Sequence, residues 1–284
     1  MERRPPAPRL ALCRPITSTA ARAASTPRVT RPTERFSSRV ENYVRYRPSY
    51  PSAAIDLLKT RCGLSPAAVV ADIGSGTGIL TELLLESGAQ VIGVEPNDGM
   101  RAAAEALLRG EARFRSVKGT AEATALAPAS IDLLVAGQAF HWFDVDQARR
   151  EALRLLRSGG FAALLWNESP PEPTALLADY EALLLRHAAE YAQVAASRAD
   201  EASMRRFFGG AMELATFPNQ QTFDFEGLKG RLMSSSYAPE PGHPQHEPMM
   251  AGLRELFRRH QHGGQVVFPY LTLVYFGQPQ RPGR

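Results

Sequence analysis

Cysteine is nearly absent. Cys13 and Cys62 are the two in 284 residues, too few for a disulfide framework and without the spacing of a zinc site. A reducing, intracellular setting follows as the default. Long apolar runs are missing too. None approaches the ~18 residues that span a bilayer, so no membrane segment is expected. Basic charge looks plentiful at a net +4, but it is confined. Residues 1–33 hold seven Arg, no Lys and one acid, Glu2, and so carry about +6, which leaves residues 34–284 with about −2. A mildly acidic body offers no broad basic face, and no nucleic-acid partner is expected. What is present is apolar material for a full core: 44% of the residues, enough for one large domain or one domain with additions.

Residues 1–33 are rich in Pro, Ser, Thr, Ala and Arg and have no sustained apolar period. Such a leader is expected to be disordered. Its Arg- and Ser-rich, acid-poor composition is also that of an organelle transit peptide. Against a continuous amphipathic helix stand Pro5, Pro6, Pro8 and Pro15. The expectation is therefore a cytoplasmic protein with an N-terminal extension, organelle targeting being the alternative.

The rest is organised around Val69-Val70-Ala71-Asp72-Ile73-Gly74-Ser75-Gly76-Thr77-Gly78-Ile79-Leu80. An apolar run leads into an acid, a turn with glycine at every second position follows, and Thr81 to Ser87 reads as a helix. This is the strand, tight turn and helix that open a nucleotide-type α/β fold. Glycine lets a ligand approach the main chain, and the helix start aims N–H groups at it. The dinucleotide pattern G-x-G-x-x-G does not fit, because Ile79 stands where its third glycine would fall. Gln90 to Glu95 reads as the next strand and ends in an acid 21 residues after Gly74, a distance suited to ribose hydroxyls.

Further strands are expected at 113–117, 131–137, 161–166, 212–223 and 266–276, the fifth entered through a turn at Arg157-Ser158-Gly159-Gly160. Helices are expected at 35–46, 52–62, 100–108 and 146–156, and a helical, Ala/Leu-rich stretch at 170–208. Asn97 or Asp98 is expected to cap the third helix. Gln138 to Phe143 follows strand four, beside the switch in strand order where ligands of open α/β sheets sit.

Asp72-Ile73-Gly74-Ser75-Gly76-Thr77-Gly78 resembles motif I of the class I S-adenosylmethionine-dependent methyltransferases. Ala139-Phe140-His141-Trp142-Phe143-Asp144 resembles their small-molecule branch, which includes trans-aconitate-type enzymes. The resemblance covers roughly Phe36 to Gly277. It implies a doubly wound, mostly parallel seven-stranded α/β sheet, Rossmann-like, with a C-terminal antiparallel strand and a helical cap at about 34–62 and 170–210. It implies S-adenosyl-L-methionine as cofactor, with Asp72, Gly74, Ser75, Gly76 and Gly78 at its turn. Glu95 and Pro96 would stand at the ribose, Met100 on the adenine face, and Ala121 and Glu122 around the adenine. Gln138 and Tyr43 would close the site, Trp142 and Phe143 would face the acceptor, and His141 is the candidate base.

The implied activity is transfer of the cofactor's methyl to a small-molecule acceptor by in-line displacement. A nicotinamide-dependent oxidoreductase and a catalytically silent cofactor-binding protein are the alternatives. A monomer or homodimer is expected. No metal site is expected from His243, His246, His260 and His262, since the first two lie in a Pro/Gly-rich loop without a completing Cys or acid.

Overall fold

A computed structural model describes residues 40–196 and 200–280. The expected leader, and residues 34–39 of the expected cap, lie outside the described residues. Seven strands form one sheet in the order β3-β2-β1-β4-β5-β7-β6. They are β1 (Val69–Ile73), β2 (Gln90–Val94), β3 (Phe114–Val117), β4 (Ile131–Gly137), β5 (Leu156–Glu168), β6 (Glu213–Phe223) and β7 (Val266–Gly277). The first five are parallel, and β7 runs antiparallel between β5 and β6. The expected architecture is therefore the observed one. The order turns at β1, which pairs with β2 on one side and β4 on the other. Apart from its first residue β1 is wholly buried, as parallel strands covered on both faces are.

The helices are α1 (Val40–Tyr46), α2 (Ser52–Arg61), α3 (Ile79–Leu85), α4 (Asp98–Leu107), α5 (Val145–Leu155), α6 (Ala175–His187), α7 (Tyr191–Ala196), α8 (Glu201–Phe208), α9 (Phe225–Met233) and α10 (His246–His260). Side-chain caps start many of them. Asn97 Oδ1 accepts from Met100 N at 2.9 Å at the start of α4, and Asp144 Oδ1 from Gln147 N at 3.0 Å at the start of α5. Thr174, Asp200 and Asp224 cap α6, α8 and α9 in the same way.

Two local expectations change. The Gly159-Gly160 turn is an irregularity inside a longer β5, which begins directly where α5 ends. Pairing with β4 jumps from Ile131 opposite Leu156 to Leu133 opposite Phe161, and Gly159 takes φ 80° to absorb the extra residues. The stretch at 170–208 is not one helical run but α6, α7 and α8.

The core has three parts. Leu58, Val70, Leu84 and Val91 fill one face of the sheet, and Ile73, Leu134, Phe140 and Phe207 the other. A third cluster lies beyond the parallel strands, where α6, α9 and α10 pack Leu177, Leu228 and Leu253 against Phe268 and Tyr270 from the first half of β7. No helix among the described residues is long and apolar enough to cross a membrane.

Candidate active site

At the carboxyl end of β1 the chain turns through three glycines in the left-handed region, with φ 70° at Gly74, 57° at Gly76 and 91° at Gly78. Two demands fall on Gly74. Its φ disfavours a side chain, and an added Cβ would lie 2.6 Å from the Cβ of Ala139, so this turn and the loop after β4 touch here. Gly78 caps α3.

Asp72 lies under the turn and is 1% exposed. Thr81 donates to its Oδ2 at 2.7 Å, while Oδ1 is buried with no hydrogen-bond partner among the described residues. Burial pushes its carboxyl up to about 7; the Thr81 hydroxyl opposes this and the nearby Glu95 adds to it. Glu95 is buried as well, and burial raises its pKa. Its Oε2 accepts from Gly76 N at 2.9 Å and its Oε1 from Asn97 N at 2.8 Å, so the acid at the end of β2 braces the glycine turn.

The loop after β4 forms the facing wall. Gln138 takes φ 56°, unusual for a residue with a side chain, and its Nε2 donates to the Asn167 carbonyl at 3.1 Å. A short 3-10 turn, Phe140–Trp142, follows. It buries Phe140 against Phe143, Trp166 and Phe207 and leaves His141 and Trp142 lining the cleft, their ring centroids 4.8 Å apart. Tyr50 is buried beside Gly137, where an added Cβ would meet its hydroxyl at 2.5 Å; burial drives that phenol's pKa well up, so it stays protonated. The segment before Tyr50 is pinned to the sheet, because Asn167 and Asn219 both donate to the Ser49 carbonyl, at 3.2 and 2.8 Å.

One cleft gathers Asp72, Gly74, Ser75, Gly76, Gln138, His141, Trp142 and Tyr43. Seven other expected residues stand off its lining: Gly78, Glu95, Pro96, Met100, Ala121, Glu122 and Phe143. Phe143 packs on Phe140 instead, and Glu122 Oε1 accepts from Asp144 N at 2.9 Å, tying the loop after β3 to the start of α5. Thr124 behind it is fixed by Glu151, whose carboxyl Arg154 pulls down to about 2. Sequence reasoning gave no role in the site to Glu168, Arg231 and Tyr237, which also line the cleft. They come from β5, α9 and the segment after α9, and no local pattern marks them. Among the described residues no three His, Cys, Asp or Glu side chains cluster as a metal site would require.

Residues 71–164 match the family model of a methyltransferase domain. An uncharacterized methyltransferase of Mycobacterium tuberculosis is 42% identical over 134 residues, 46% of this chain and 51% of the relative. A Saccharomyces cerevisiae protein named a probable S-adenosylmethionine-dependent methyltransferase is 30% identical over 137 residues, 46% of each. The chain thus spans about half the length of the curated relatives it matches. A solved structure from Anaeromyxobacter dehalogenans, provisionally named a type II methyltransferase, is similar in fold, with a TM-score of 0.57 at 22% identity over 82% of this chain and 98% of that one.

Proposed function

We propose, from the premise that residues 71–164 form a methyltransferase domain of the class I S-adenosylmethionine-dependent family, that this protein methylates a small molecule held in the cleft. The observation that carries the proposal is Asp72: a buried carboxylate with an unpartnered oxygen, set under a glycine turn at the point where strand order reverses. An anion in that position suits a cationic ligand. The cofactor, when bound, would supply a methyl carbon activated by a sulfonium for transfer to a lone pair of the acceptor.

The chain's own part is to bind, align and exclude water. Asp72 neutralises positive charge on the cofactor. The glycine turn lets the ligand reach the main chain, and Glu95 holds that turn in shape. Trp142 adds an indole ring to the cleft wall, a group that stabilises a nearby sulfonium. Orientation of this kind supplies about 7–11 kcal/mol of a barrier. Where the acceptor must lose a proton, His141 on the cleft wall is the residue we assign to take it, a contribution of ~10²–10⁴-fold.

Calorimetry with S-adenosylmethionine and with NADH tests the proposal. The first should bind and the second should not, and Asp72→Asn should weaken the first by at least about tenfold, or ~1.4 kcal/mol. Binding of NADH instead would move the protein to the oxidoreductase class; binding of neither would defeat both readings.

A further inference from the structure

Two arginines line the cleft: Arg47, just after α1, and Arg231, in α9. Each is fixed by part of its guanidinium. Arg231 Nε donates to the Tyr270 hydroxyl at 2.9 Å, which donates on to Gln221 Oε1 at 2.9 Å. Arg47 Nη2 donates to the Ser234 carbonyl at 3.0 Å. Ser234 also joins the two, since its hydroxyl donates to the Arg231 carbonyl at 2.6 Å. Aromatic faces set both planes: Arg231 lies 5.1 Å over Phe268, and Arg47 lies 5.0 Å over Tyr43.

Part of each donor set is left over. Arg231 Nη1 and Arg47 Nε are shut off from solvent and have no hydrogen-bond partner among the described residues. A third buried orphan, the Tyr180 hydroxyl, belongs to a ring that packs edge-on against the same Phe268, centroids 5.1 Å apart. Two acids line the cleft, Asp72 and Glu168, and neither forms an ion pair with either arginine. Arginine does not escape such a setting by deprotonating. Two guanidinium groups with shielded, unsatisfied donors therefore carry a standing cost, which an incoming anion removes.

Resting on the methyl-transfer reading of the site, we propose that the acceptor bears an oxyanion, a carboxylate or a phosphate, seated on Arg231 and Arg47 by charge-assisted hydrogen bonds. The guanidinium fork matches both groups. A neutral isostere leaves both cations unpaired, so the pair sets specificity as well as affinity.

The test uses the full chain loaded with S-adenosylhomocysteine, titrated at millimolar level with acetate against acetamide and with inorganic phosphate, by calorimetry and thermal shift. In parallel, methyl transfer is screened over small acids, phosphate monoesters and their neutral counterparts. Anions should bind and neutral partners should not, and whichever of carboxylate or phosphate gives turnover identifies the group. Arg231→Gln and Arg47→Gln should each raise the acceptor's KM by about tenfold or more while homocysteine-adduct affinity stays within about threefold; Arg231→Lys should recover part of the loss. Neutral acceptors turned over as well as anions would overturn the proposal. So would anion binding that survives both Gln variants, or no anion binding in a protein that binds the adduct. Should Arg231→Gln fail to fold, Arg47→Gln carries the same reading. If the adduct itself does not bind, the methyl-transfer reading fails, and anion titration of the unloaded protein still reports on the arginine pair.

Discussion

At the scale of single residues, Asp72 has the sharpest consequence. Its folded pKa of about 7 lies above the usual ~3.9 of an unfolded aspartate. Between those values the folded chain holds a proton that the unfolded chain has lost. Stability should therefore fall as pH rises from about 4 to about 7, by up to roughly 4 kcal/mol for a shift of this size. Asp72→Asn should flatten that slope in thermal melts and leave the variant at least as stable at pH 8, although its cofactor affinity drops. A cation bound beside Asp72 pulls the pKa back down, so affinity for S-adenosylmethionine should rise as pH rises through about 7, and binding should release close to one proton near pH 6 and about half a proton near pH 7. Calorimetry in two buffers of different ionisation heat reads that proton, and its persistence in Asp72→Asn would place the titration elsewhere. The position of Asp72 was legible in the sequence because strand, turn and helix are contiguous there. Arg231 was not. It meets Arg47, Tyr270 and Tyr180 only after β6, α9 and β7 have assembled, and nothing within a few residues of it encodes that meeting. Glu95 was legible as an acid at a strand end, but its bonds to Gly76 N and Asn97 N depend on the turn's exact path.

Among elements, α1 and α9 pack closely at Gly230. A Cβ added at Gly230 would sit 2.0 Å from the Tyr46 ring, which α9 admits because this helical position has no side chain. That approach brings Arg47 within reach of Ser234 and lays Tyr43 along the cleft. Gly230→Leu should push α1 away, with a loss of about 1–3 kcal/mol from overpacking and a weaker hold on any ligand that α1 covers. Thermal melts and limited proteolysis around residues 40–50 measure this, and adding Tyr46→Ala should restore part of the stability. A double variant no better than the single would show that the helices do not meet there. The capped start of α4 could be read from the Asn97-Asp98 pair because a cap is a local device, and Asn97 is the one that caps. The division of residues 170–208 into three helices could not, since an Ala/Leu-rich run keeps a helical period, while α6 packs on α10 and α8 on α5, partners far away in sequence.

For the molecule as a whole, the topology makes β7 indispensable. It pairs with β5 from Ala162 to Glu168 and with β6 from Val266 to Phe276, and it gives Phe268 and Tyr270 to the third core. A chain ending at Gln265 should show no cooperative melt and no binding of S-adenosylhomocysteine; a cooperative transition in that chain would refute this. Strand number and the antiparallel C-terminal strand were legible through the family resemblance, whereas the shared use of β7 by the sheet and the third core depends on contacts between residues far apart in sequence.

The seating of β7 also sets a schedule for biosynthesis. The sheet acquires an interior strand from the far end of the chain, so the free edge of β5 stays open while the intervening hundred or so residues are still being made. At ribosomal rates of roughly 5–20 residues per second that interval lasts about 5–20 s. Throughout it, a nascent polypeptide offers unpaired backbone to its neighbours on the polysome. Synthesis pace through residues 169–277 therefore bears on how long that edge stays open.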